Sequence, residues 1–122
     1  MPRSTGQPAA VVSDDDVERL VRRDFTPAQV DETLALLRTY GTQTWEPEVP
    51  RVRAAILRLA AGDMDRLRQQ LDYAKRDYRD VLLGAEYMVY ATLTLRTPNP
   101  SPGEAQHAIT ADWSAYQAWL RR

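Results

Sequence analysis

The stretch AKRDYRDVLLGAEY, residues 74–87, sets two carboxylates, Asp77 and Asp80, one helical turn apart. Two acidic groups at that spacing can raise each other's pKa, which would let one of them act as a general acid. With help from Glu86 they could also hold a divalent cation. Glu86 projects well away from the pair on the same helix, however, and no second acidic helix is patterned to complete a site. The stretch also carries a glycine and is bracketed by tyrosines. Tyr73, Asp77, Asp80, Gly84 and Tyr87 follow steps of four, three, four and three, which puts all five on one seam of an unbroken helix, with Leu83 nearby.

Three uses of such a seam compete. The plainest is internal packing, with Asp77 and Asp80 paired to arginines of a neighbouring helix; Arg51, Arg53 and Arg58 are the candidates. Asp72–Arg76 and Arg76–Asp80 also stand at i,i+4 spacing within the helix. The second use is a docking surface for another protein or a second copy of the chain. Tyrosines offer large amphipathic contact area there, and Gly84 admits a close approach. The third is a small-molecule, metal-dependent or catalytic site on the two carboxylates. As a function, docking ranks ahead of chemistry.

Little else in the chain could do chemistry. The one histidine, His107, lies more than a turn from Asp112 and reads as a solvated or hydrogen-bonded side chain. The patterns HExxH, GxSxG, GxGxxG and GxxxxGK(S/T) are all absent. With no cysteine there is no thiol nucleophile, disulfide or thiolate zinc site. The sequence leans away from an enzyme, and no cofactor and no bound metal are expected.

The elements that must position the seam follow from length and patterning. At 122 residues, 43% hydrophobic and 27% charged, the chain is long enough for one globular domain with its own core. Net charge is −1 and no basic block stands out, so nucleic-acid binding is not expected. The longest weakly charged run, Val81–Leu95, is interrupted by Glu86 and is too short and polar to span a bilayer. No secretory leader is visible in residues 1–12, and a cytoplasmic protein is the expectation. Arginine outnumbers lysine fifteen to one, with Lys75 the single lysine. That ratio suits bidentate guanidinium pairing; genome base composition is the simpler explanation.

Residues 1–12, with two prolines and a glycine, read as a flexible tail ahead of a single domain over 13–122. Ser13 caps a first helix whose opening turn, Asp14–Asp16, meets the positive end of the helix dipole. Thr26-Pro27-Ala28-Gln29 starts a second helix, with Gly41 a plausible stop. GTQTWEPEVP, 41–50, is a loop that Trp45 should anchor to the core. A third helix spans about 48–61. Gly62 ends it, and Asp63 caps a fourth that runs to about Tyr90. That helix buries Met64, Leu67, Leu71, Ala74, Tyr78, Val81, Leu82, Ala85 and Val89. RTPNPSPG, 96–103, interrupts, and Ser101 and Glu104 form a capping box for the last helix.

Residues 51–87 carry an ordered set of short motifs: RV entering a helix, LAAGD at the helix break, then DYRD followed by AEY. That set resembles a family of small uncharacterised bacterial all-helical proteins, and DWSAYQAWL at 112–120 is similar to their C-terminal end. The resemblance implies a helical domain and supplies no activity and no catalytic residues. The sequence departs from the pattern after Tyr87, where MVYATLTLRTPNPSPG is longer than the family suggests. Taken together, the expectation is an all-α bundle of four to five helices that works by binding another protein or itself. Tyr73, Asp77, Asp80, Gly84 and Tyr87 are its candidate binding residues. The alternative is a small-molecule or metal-dependent activity at the same seam.

Overall fold

A computed structural model describes residues 11–122. Ten residues of the expected tail lie outside that range, and Val12 already packs against the core. Among the described residues there are six α-helices, one short 3-10 turn and no strand. They are α1 (Asp14–Asp24), the 3-10 turn Pro27–Gln29, α2 (Val30–Leu37), α3 (Val49–Ala60), α4 (Met64–Glu86), α5 (Met88–Arg96) and α6 (Pro102–Arg121). The helix count exceeds the expected four to five because the fourth helix stops at Glu86. Tyr87 leaves helical geometry there (φ −128°, ψ 35°), and 88–96 form a helix of their own.

The expected start signals act as local chemistry requires. Ser13 Oγ accepts from Asp16 N at 3.1 Å while Asp16 Oδ2 accepts from Ser13 N at 3.0 Å. Ser101 and Glu104 form the same reciprocal box. Asp63 caps α4 through Arg66 N at 3.0 Å. Between α3 and α4 the chain reverses through Ala61 and Gly62, both at positive φ.

The core gathers Val17, Leu20, Val21 and Phe25 of the first segment with Val52, Ile56 and Leu57 of α3 and Leu67, Leu71 and Val81 of α4. The most extensive packing is α3 on α4, and α6 closes the core with Tyr116 and Leu120. Val89, expected on the buried face of α4, is instead 47% exposed on α5, because the helix that would have carried it inward ends three residues earlier.

Helix ends are held by arginines from other helices. Arg53 donates to Leu37 O at 3.0 Å and Tyr40 O at 2.8 Å, past the end of α2. Arg58 donates to Ala85 O in the last turn of α4 at 2.9 Å. From α1, Arg19 donates to Leu120 O, and Arg23 donates to Trp119 O at 2.6 Å. A multi-donor guanidinium suits these free carbonyls, which carry the negative end of each helix dipole.

Candidate functional site

The five-residue seam presupposed an unbroken helix, and α4 is broken in its middle. Asp77 has extended backbone angles (φ −155°, ψ 97°) between two helical arms. Its Oδ1 accepts from the backbone N–H of Arg79 at 3.1 Å and from Arg79 Nε at 3.0 Å. Asp77 therefore behaves as an internal N-cap, and DYRD is the restart of a helix rather than two carboxylates displayed along one. The bend is large. On a straight helix Gly84 would lie about 30 Å from Met64. Yet Leu59, just before the turn into α4, packs against Gly84, so the second arm folds back over α3.

The bend separates the five residues. Tyr73, Asp77 and Asp80 line one groove of about 410 Å³ beside it, with Gln70, Arg76 and Val81. Tyr73 is 41% exposed, its hydroxyl accepts from Gln69 Nε2 at 3.4 Å, and the Arg76 guanidinium lies 5.6 Å from its ring centre. Gly84 belongs elsewhere. A Cβ there would stand 3.5 Å from Leu59 Cδ1, so it faces α3 inside the chain rather than an incoming partner. Tyr87 sits at the α4–α5 junction, edge-on to Tyr90 at 6.5 Å.

The expected pairing of Asp77 and Asp80 with α3 arginines does not occur. Arg51 binds Glu86, while Arg53 and Arg58 hold helix-end carbonyls. Asp77 pairs with its near neighbour Arg79, and Arg76 with Asp72 at 3.0 Å; Asp80 makes no ion pair among the described residues. The spacing to α3 that would have paired them assumed a straight α4. Hydrogen bonds from Arg79 hold the Asp77 carboxyl below its ordinary range. A general acid needs the opposite shift. Among the described residues no group of three or more His, Asp or Glu is placed to hold a metal ion.

Three features escaped the sequence. Asp112 of α6 is buried, and its two carboxylate oxygens accept from Val89 N (2.8 Å) and Tyr90 N (2.9 Å), so it caps α5 from another helix. A cap supplied 22 or 23 residues away leaves no local motif to read. Glu46, also buried, accepts three successive N–H groups of Gly41, Thr42 and Gln43 on one oxygen, at 2.8, 3.0 and 3.1 Å. It is Glu46, with the Tyr40 hydroxyl donating to Pro47 O at 2.9 Å, that anchors the 41–48 loop. Trp45, expected to do so, is 69% exposed.

The third feature is α5 itself. Its sequence MVYATLTLR holds a single charged residue, Arg96, yet none of its residues is buried. Met88 and Val89 are nearly half exposed and Leu95 is 87% exposed. Met88, Val89, Thr92, Leu93 and Arg96 line an apolar groove of about 410 Å³.

No family model, no curated protein and no solved structure matches the chain.

Proposed function

We propose that the chain is a protein-interaction domain, acting as an adaptor or by self-association. The observation that supports it is the uncovered apolar face of α5. Apolar side chains on a helix that buries none of them are the usual mark of a surface awaiting a partner. Tyr87 stands at the entry to that helix and adds an amphipathic ring of the kind interfaces favour. No helix among the described residues is long and apolar enough to cross a membrane, so a bilayer span does not account for the face.

The test is solution mass by light scattering over a concentration series, for the wild type and for Val89→Glu. A dimer that Val89→Glu converts to monomer supports self-association. A wild-type monomer at every concentration overturns that form and leaves a foreign protein as the partner.

A second reading is favoured by the groove at the bend of α4, whose volume of about 410 Å³ falls in the range of small-molecule sites. In that reading Asp80 and Tyr73 orient a small ligand. Fragment binding read from backbone amide shifts of 70–81, abolished by Asp80→Asn without loss of melting temperature, would support it. Shifts that persist in Asp80→Asn would sink it.

A further inference from the structure

The break between α4 and α5 falls where the sequence does not ask for one. No proline or glycine stands between Ala85 and Arg96, and Tyr87 is the one residue that separates the two helices. Val81, Ala85 and Val89 stand at steps of four, so a continuous helix would carry the buried stripe of α4 on to Val89, which is left exposed. In that continuous helix the Val89 N–H would donate to Ala85 O, four residues back. Both groups are instead engaged by side chains of other helices. Asp112 of α6 accepts from Val89 N at 2.8 Å and from Tyr90 N at 2.9 Å, while Arg58 of α3 donates to Ala85 O at 2.9 Å. Arg58 and Asp112 thus divide one helical hydrogen bond between them, one holding its acceptor and the other its donor.

Both side chains answer to α6. Asp112, Tyr116 and Trp119 stand at steps of four and three on one face of that helix. The Arg58 guanidinium lies 5.1 Å from the Tyr116 ring centre and 5.9 Å from that of Trp119. Seating α6 therefore places Asp112 on the donor and steadies Arg58 on the acceptor. No buried side chain of α5 resists the opposite move, since none of its residues is buried. We infer that the α4–α5 junction is a two-state hinge locked by α6. It is bent while Arg58 and Asp112 hold the two groups, and runs as one helix through Tyr87 when they let go. Straightening exchanges their bonds to Ala85, Val89 and Tyr90 for backbone bonds within a helix, and moves Tyr87 into dihedrals open to any residue. The apolar groove of α5 travels with the hinge, which therefore sets where that groove is presented. This consequence rests on the α5 reading; the hinge itself does not.

The experiment compares the full chain with Asp112→Ala, and with Asp112→Ala combined with Arg58→Met. The readouts are amide hydrogen exchange at Val89 and the Cα chemical shift of Tyr87. With Asp112→Ala alone, Arg58 still occupies Ala85 O, so Val89 should exchange faster than in the wild type. With both changed, the Val89 N–H finds Ala85 O. Its exchange should then slow by about tenfold or more relative to Asp112→Ala, and the Tyr87 shift should move to a helical value. Exchange at Val89 that stays fast in the double variant, or a Tyr87 shift that stays non-helical, overturns the inference and leaves the junction a fixed bend. Should the double variant fail to fold, relaxation dispersion of the wild type at 85–91 decides. A minor state with a helical Tyr87 shift supports the hinge, and flat dispersion overturns it. A solution mass that Val89→Glu leaves unchanged counts against self-association through α5 and moves none of these readouts.

Discussion

Arg51 grips Glu86 with two nitrogens, Nη2 to Oε1 at 2.6 Å and Nε to Oε2 at 2.9 Å, across the contact between α3 and the last turn of α4. Glu86 is 1% exposed, so its charge is withdrawn from water and depends on the protein for compensation. Hydrogen bonding and charge from Glu86 in turn hold Arg51 protonated more firmly than usual.

Removing that guanidinium should be costly. Arg51→Ala is expected to lose about 3–5 kcal/mol in urea unfolding, as breaking a buried pair does. Arg51→Lys should recover only part, since one ammonium cannot make both contacts. The double change Arg51→Met with Glu86→Leu should be less damaging than Arg51→Ala alone.

Asp112→Ala should strip two N–H groups of α5 of their acceptor. A lost cap of this kind costs about 1 kcal/mol. The distinguishing readout is local: hydrogen exchange at Val89 and Tyr90 should accelerate, while amides of α3 keep their protection. Uniform acceleration would place Asp112 in the global core instead.

Gly84→Ala should stabilise the chain. The added methyl would make ordinary contact with Leu59, and alanine is favoured over glycine within a helix by about 1 kcal/mol. A fall in melting temperature would show that the second arm of α4 lies closer to α3 than the 3.5 Å separation implies.

Tyr116 and Tyr40 give the chain an alkaline limit. Burial pushes Tyr40 up to about 12, with the charge of Glu46 adding to it. Burial, then the charge of Glu86, raises Tyr116 as well. Unfolded tyrosine ionises near pH 10. Above that pH the unfolded chain releases protons that the folded chain retains, so this stability is whole below about pH 10 and is lost as pH climbs toward the folded values. The Tyr116 hydroxyl has no hydrogen-bond partner among the described residues. Tyr116→Phe should therefore hold or raise the melting temperature at pH 7 and soften the alkaline loss. Tyr40→Phe orphans Pro47 O and should cost about 1 kcal/mol.

Local signals were legible in the sequence, and relations between distant residues were not. Ser13, Asp63 and Ser101 declare their helices because a cap and the backbone N–H that donates to it lie within three residues. The apolar spacing of Leu67, Leu71, Ala74, Val81, Leu82 and Ala85 marks the buried side of α4 even through its bend. The bend has only a weak mark in DYRD, an aspartate able to accept from the N–H two residues on, as Asp77 does from Arg79. Continuous periodicity around it hid that signal. This is why Tyr73, Asp77 and Asp80 come together while Gly84 and Tyr87 do not. The α5 cap, the Glu46 anchor and the exposure of Trp45 follow from tertiary contacts or from backbone geometry that no periodic pattern encodes.

The arginines of α1 reach across almost the whole chain, since Arg23 and Arg19 find their acceptors 96 and 101 residues later, at Trp119 and Leu120. The first and last of the described helices are thus fastened to each other like a clasp. During synthesis the first helix must wait for the last turn of α6 before these guanidiniums meet those carbonyls. Closing so long a loop is among the slower and more entropically demanding contacts a chain this size can make. Loss of those final residues would loosen the first helix as well as the last.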